Sequence, residues 1–228
     1  PAVLRRISTK LPADWAGRLG YSPEFADVES LIALLVDSGV IPPVTAAEVG
    51  LDSEAPIPPN QQPALFRPLL HYICGLLEIP EPRVLRHPGL LGDARMAHLQ
   101  PPALLCGSTL LKNADSLELG FRLGRALALA TTGRLAGSAR SGGQLRPYFM
   151  AALATARESL RLEGPDFEGA RDAIAALDAP ARTRIADVSQ RVVRKYGIIT
   201  LTAWPKVLGQ LATHLSLVSS GAARLVPL

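Results

Sequence analysis

Residues 117–130 read "LELGFRLGRALALA", and their spacing decides how the middle of the chain folds. Leu119, Leu123, Ala126, Leu127 and Ala130 recur at intervals of three and four, which predicts a helix with one face in a core. Arg122 and Arg125 fall on the other side. Asp115 stands where an N-cap belongs. Just before it, "PALLCGS" (102–108) is short, apolar and bounded by Pro and Gly, the pattern of a buried strand. "RVLRH" (83–87) follows the prolines of "IPEP" and reads as an earlier extended segment. The intervening "PGLLGDARMAHLQ" (88–100) reads as loop. Two extended segments and a long helix therefore form the centre.

Working outward, "YSPEFADVESLIALLVDSGV" (21–40) carries a complete helix grammar: Ser22 as cap, Pro23 at the first position, acids in the first turn and Gly39 beyond the end. A short helix is predicted from Thr45 to about Leu51. "DSEAPIPPNQQP" then collects Pro, Asn and Gln, which places a boundary near residue 60. The expected organisation is an N-terminal helical segment, 1–60, and a larger helical domain, 61–228. Another helix is read in "ALFRPLLHYICGLLE" (64–78).

Past the central helix, "TTGRLAGSARSGG" (131–143) reads as loop. Four helices are expected after it: Arg146 to Leu162, about Asp166 to Leu177, Pro180 to Gly197, and a last one. That last helix sets Leu201, Trp204, Leu208, Leu211, Leu215 and Val218 on one seam. No fixed-period repeat appears, which argues against a solenoid. The fold class expected is α+β, predominantly helical: a helical bundle with a small two-stranded β element.

Composition agrees. Of 228 residues 48% are apolar and only 5% aromatic, so the core must be aliphatic and of substantial size. The net charge is +4, carried mostly by Arg, and it gives little reason to invoke nucleic acid. The longest apolar runs fall far short of the roughly 20 residues that span a bilayer. No secretory signal pattern appears, and the start at Pro1 reads as a segment of something longer. A cytoplasmic location is the corresponding expectation.

Three chemistries can be tested on the residues. A zinc site needs ligands paired at three to five residues, and His71, His87, His98 and His214 provide no such pair. Cys74 and Cys106 lie in apolar stretches and read as buried thiols. "CGST" sets Cys106 and Ser108 at a strand end, but without the G-x-S-x-G elbow or a nominated base. An enzyme built on that Ser or Cys stays open as an alternative. So does an anionic-surface or nucleic-acid binder using "ARTRIADVSQRVVRK" (181–195), with Arg184, Arg191, Arg194 and Lys195. That helix has no aromatic partners for bases.

The order of elements, and "PPALLCGSTLLKNADSLELGFRLGRALALA" (101–130) in particular, resembles the central region of HtpX-like zinc metallopeptidases. The likeness lies in the strand, in the "STLL" after it, and in Glu118 and Leu119 opening the helix. It implies a zincin-like fold whose His-Glu-x-x-His positions fall on Arg125, Ala126, Leu127, Ala128 and Leu129. Arg125 is a fixed cation, Ala126 lacks a proton acceptor and Leu129 lacks a donor atom, so neither the metal nor its activated water can be held. The family's later helix supplies a carboxylate; the comparable stretch here offers only Gln210 and His214. The resemblance thus implies a degenerate, noncatalytic domain of a larger bacterial protein with helical repeats. Its expected role is to bind a protein partner or act as a scaffold, with no cofactor and no metal. The candidate contact residues are Arg122, Arg125, Leu129 and His214.

Overall fold

A computed structural model describes residues 10–113, 115–157, 160, 163–197, 199 and 201–223. The chain is predominantly helical with one small sheet, an α+β arrangement. It divides into two compact units, each assembled from separate stretches: unit 1 from 1–20, 44–131 and 209–228, unit 2 from 21–43 and 132–208. These lines differ from the 1–60 and 61–228 segments read from the sequence.

Unit 1 is built around the sheet. Strands β1 (Arg83–Arg86), β2 (Ala94–Ala97) and β3 (Ala103–Cys106) lie in the order β1-β3-β2, with β1 parallel and β2 antiparallel to β3. The expected two-stranded element is therefore corrected to three strands. β2 falls inside the stretch read as loop, because Arg95 and the flanking Gly and Asp interrupt its short apolar run. Every residue of central β3 is fully buried. Ala103 and Leu105 join Leu51, Leu85, Ala97 and Leu99 in one cluster, and the alternation of a strand sends Leu104 and Cys106 to the opposite face.

The helices of unit 1 are α1 (Trp15–Arg18), α3 (Phe66–Leu77), the single turn α4 (Leu110–Asn113), α5 (Ser116–Leu127) and most of α10 (Trp204–Ala223). The Asp115 carboxylate accepts from the Glu118 amide at 2.8 Å, capping α5 as its sequence suggested, and α5 packs on β2 and α3. Gly124 sets how closely α5 and α10 cross: a Cβ there would sit 1.7 Å from Ser219 Oγ. The short helix expected at Thr45–Leu51 is only a turn, held by Glu48 accepting from the Thr45 amide and hydroxyl at 2.7 and 2.8 Å.

Unit 2 contains α2 (Pro23–Asp37), α6 (Thr132–Ala139), α7 (Gly142–Ala154), α8 (Pro165–Ala175), α9 (Ala179–Tyr196) and the first turn of α10. Helix α2 packs against α6 and α9, and α7 against α8 and α9. The expected loop at 131–143 is corrected here, since most of it is α6. Its glycines are points of close approach, not hinges. A Cβ on Gly133 would meet the Glu29 carbonyl oxygen at 2.3 Å, and one on Gly137 would meet the buried Trp204 ring at 2.7 Å. Between them Arg134 is buried, its Nε 2.8 Å from a Glu29 carboxylate oxygen and its guanidinium 5.3 Å from the Tyr21 ring centroid. Trp204 Nε1–H donates to the Tyr21 hydroxyl at 3.0 Å.

Helix α7 starts earlier than expected because Ser141 and Gln144 form a capping box. It ends at Ala154, leaving Ala156 and Leu160 beyond it; residues 158, 159, 161 and 162 of the longer helix read from the sequence lie outside the described residues. On α10, Trp204, Leu208, Leu211 and Leu215 form the buried seam, as does Leu201 ahead of it, but Val218 is exposed. No helix among the described residues is long and apolar enough to cross a membrane.

Candidate functional site

The four candidate residues separate into two groups, both in unit 1. Arg122 and Arg125 stand on the polar face of α5 and turn toward Asp93, the residue before β2. Arg122 Nη1 lies 3.4 Å from one Asp93 oxygen and Arg125 Nη1 lies 3.9 Å from the other, while Arg122 Nη2 is 3.7 Å from Glu118. The result is a partly exposed ion-pair cluster that ties the polar face of the helix to the sheet. Such pairs, screened by solvent, contribute little stability; Arg122 Nη1 donates to Asp93 at 3.4 Å, whereas Arg125 keeps only a longer ion pair. Asp93 carries no signal of this role in the sequence, because Gly92 and Asp93 give the segment ahead of β2 the composition of a loop.

Leu129 lies beyond the last residue of α5, where the Leu129 amide donates to Ala126 in a tightened final turn at 3.2 Å. Positions 125 and 129 therefore do not share an unbroken helix. Leu129 packs instead on a thin buried cluster of Ala128, Ala212 and Leu215, together with Leu11, Trp15, Leu19 and Leu77. All five of these large side chains are only half-buried. His214, exposed on α10, adjoins the same surface through a 3.1 Å contact between its Nδ1 and the Leu19 carbonyl oxygen. The Lys10–Glu78 and Asp14–Arg18 ion pairs involve residues adjacent in sequence to Leu11, Leu77, Trp15 and Leu19.

Trp15 and Leu19 are not among the residues that the sequence marks as candidates. The signal was present: Leu11, Trp15 and Leu19 recur at intervals of four, one face of a helix. It was too short, with α1 only four residues long, to stand out beside the 20-residue pattern that follows.

The remaining candidate chemistries acquire positions as well. Cys74 and Cys106 are buried, and burial pushes each thiol up to about 12, the reverse of an activated nucleophile. Gly107, after Cys106, is pinned to the chain at Leu91, whose carbonyl oxygen a Cβ would meet at 1.9 Å. The histidines are dispersed: His71 Nδ1 lies 2.7 Å from a Glu81 oxygen, and His87 bridges the Val49 carbonyl and the Gly89 amide at 2.7 and 3.0 Å. Among the described residues no three His, Cys, Asp or Glu side chains gather as a metal site would require. Along α9, Arg182 caps the carbonyls of Ala175 and Leu177 at 2.9 and 2.8 Å, and Lys195 pairs with Asp27 at 2.9 Å.

Compared with protein-family models, with characterised proteins and with solved structures, the chain gives no match.

Proposed function

We propose that this chain is a noncatalytic interaction domain, a zincin-like relative of the HtpX-type peptidases that holds an amphipathic helix of a partner protein. One observation carries the interaction reading: the half-buried ring of Leu11, Trp15, Leu19, Leu77 and Leu129 around a buried floor of small and aliphatic residues. An apolar centre containing a Trp, with ion pairs at neighbouring positions, has the anatomy of a protein interface. His214 stands at its edge. The Arg122–Asp93–Arg125 cluster acts in this reading as an internal brace and not as the contact surface.

The peptidase kinship draws its support from the order β1, β3, α5 and from the Asp115 cap ahead of Glu118 and Leu119. The end of α5 at Leu127 departs from the unbroken helix that a His-Glu-x-x-His site requires. A photo-crosslinking residue placed at Leu129 or His214 of the full-length protein in its native cell tests the reading. It should trap one discrete partner, and the same residue at exposed Gly169 should not. Equal trapping at all three positions, or one tightly held zinc per purified chain, would overturn it.

A further inference from the structure

Unit 2 contains a second surface feature that the interaction reading does not use: an apolar trough of about 450 Å³ between α7 and the residues Ile199, Leu201 and Thr202. Phe149, Met150, Ile199 and Leu201 line it, and its volume lies in the range that holds a small-molecule ligand. Among its described lining residues Arg146 is the sole charged side chain, and Thr202 adds a hydroxyl. The exposed Arg146 guanidinium lies 6.0 Å from the Phe167 ring centroid, a weak cation–π contact that leaves its charge unneutralised. Gly142 and Gly143, the first two residues of α7, also line the trough and bring the positive end of the helix to the same side. The electrostatics are thus of one sign, with a cation above an apolar floor and no acid among the described lining residues.

We propose that this trough binds a small carboxylic acid with an apolar chain, its carboxylate against Arg146 and its chain between Phe149, Met150, Ile199 and Leu201. Charge complementarity selects an acid over an amine or a neutral amphiphile, because the ion-supported hydrogen bond from Arg is the one strong polar contact available. The inference is independent of the partner surface in unit 1, so either can fail alone.

The test uses the full chain with decanoate, below its micelle concentration, and with the neutral decanamide, followed by amide NMR. Decanoate should shift the amides of Gly142, Gly143, Met150 and Thr202 and bind at least about tenfold more tightly than decanamide. Arg146→Met, which keeps the aliphatic stem at an exposed position, should bring the two affinities together, and Met150→Trp should fill the trough and abolish both. Equal affinities in the native chain, no binding of decanoate at millimolar concentration, an Arg146→Met protein that keeps the preference, or shifts confined to other residues would each overturn the proposal.

Discussion

Gly133→Ala tests whether residues 132–139 form a packed helix or the loop that their composition suggests. In an unconstrained helix interior Gly→Ala gains about 1 kcal/mol from helix propensity, and at Gly133, the second residue of α6, no more than that. At Gly133 the new Cβ would lie 2.3 Å from the Glu29 carbonyl oxygen and 2.7 Å from its Cγ. The first of these is backbone, so relief requires α2 and α6 to separate, at an overpacking cost of about 3 kcal/mol, the upper part of the usual range. The same separation stretches the buried Arg134–Glu29 pair, 2.8 Å long. The net expectation is a loss of about 2 kcal/mol, roughly a thirtyfold fall in the folded-to-unfolded ratio. Gly209→Ala is the control: it sits inside α10, exposed, and a Cβ added there would meet nothing within 4 Å, so it should gain close to the full propensity term. Urea unfolding followed by circular dichroism gives both numbers, and hydrogen exchange of the α6 amides localises the loss. Equal stabilisation by the two substitutions would refute the close α2–α6 packing.

Three further outcomes follow from buried and paired groups. Ser189 is fully buried on α9 and its hydroxyl has no hydrogen-bond partner among the described residues, so Ser189→Ala should leave the thermal midpoint unchanged or raise it, by up to about 1 kcal/mol of added stability. At Asp27 burial pushes the carboxyl up, but the hydrogen bonds from Lys195 at 2.9 Å and Tyr196 at 3.0 Å outweigh it and hold the group below its ordinary value. A depressed folded value gives stability that is present above the unfolded carboxylate value, about 3.9, and is lost as pH falls through the folded value; Asp27→Asn should therefore flatten the acid limb of a stability-versus-pH curve. Both thiols, pushed up to about 12 by burial, should resist a thiol reagent at pH 8 in the folded chain and react together on unfolding, whereas fast labelling of Cys106 alone would revive a nucleophile at the end of β3.

The elements that were legible in the sequence are those whose signals are local. Pro23 and Gly39 bracket α2, although the Ser22 hydroxyl expected to cap it makes no hydrogen bond among the described residues, Asp115 starts α5, and the Leu and Trp spacing on α10 marks its buried seam down to Leu215. What stayed hidden depends on contacts distant in sequence. Gly133 and Gly137 look like loop residues until Glu29 and Trp204 are seen against them. β2 has only four residues, one of them Arg95, and gains its ladder from β3. The candidate site is legible only in part. Leu129 and His214 adjoin one surface, but the apolar side chains around it include Trp15 and Leu19 from the start of the described chain, distant in sequence from both. Nothing in the spacing of Arg122 and Arg125 points to Asp93, which lies 3.4 and 3.9 Å from them.

Whether the apolar ring, and not the arginine cluster, meets the partner is decided by binding. The cross-linked partner, once isolated, is titrated against the native chain, Leu129→Glu and Arg122→Ala/Arg125→Ala, with circular dichroism confirming that each is folded. If the ring is the contact, Leu129→Glu loses roughly thirtyfold or more in affinity, the scale of an interface hot spot. The double arginine variant then stays within about threefold of native, as solvent-screened pairs allow. The reverse pattern, with Leu129→Glu binding normally and the arginine variant failing, would contradict it.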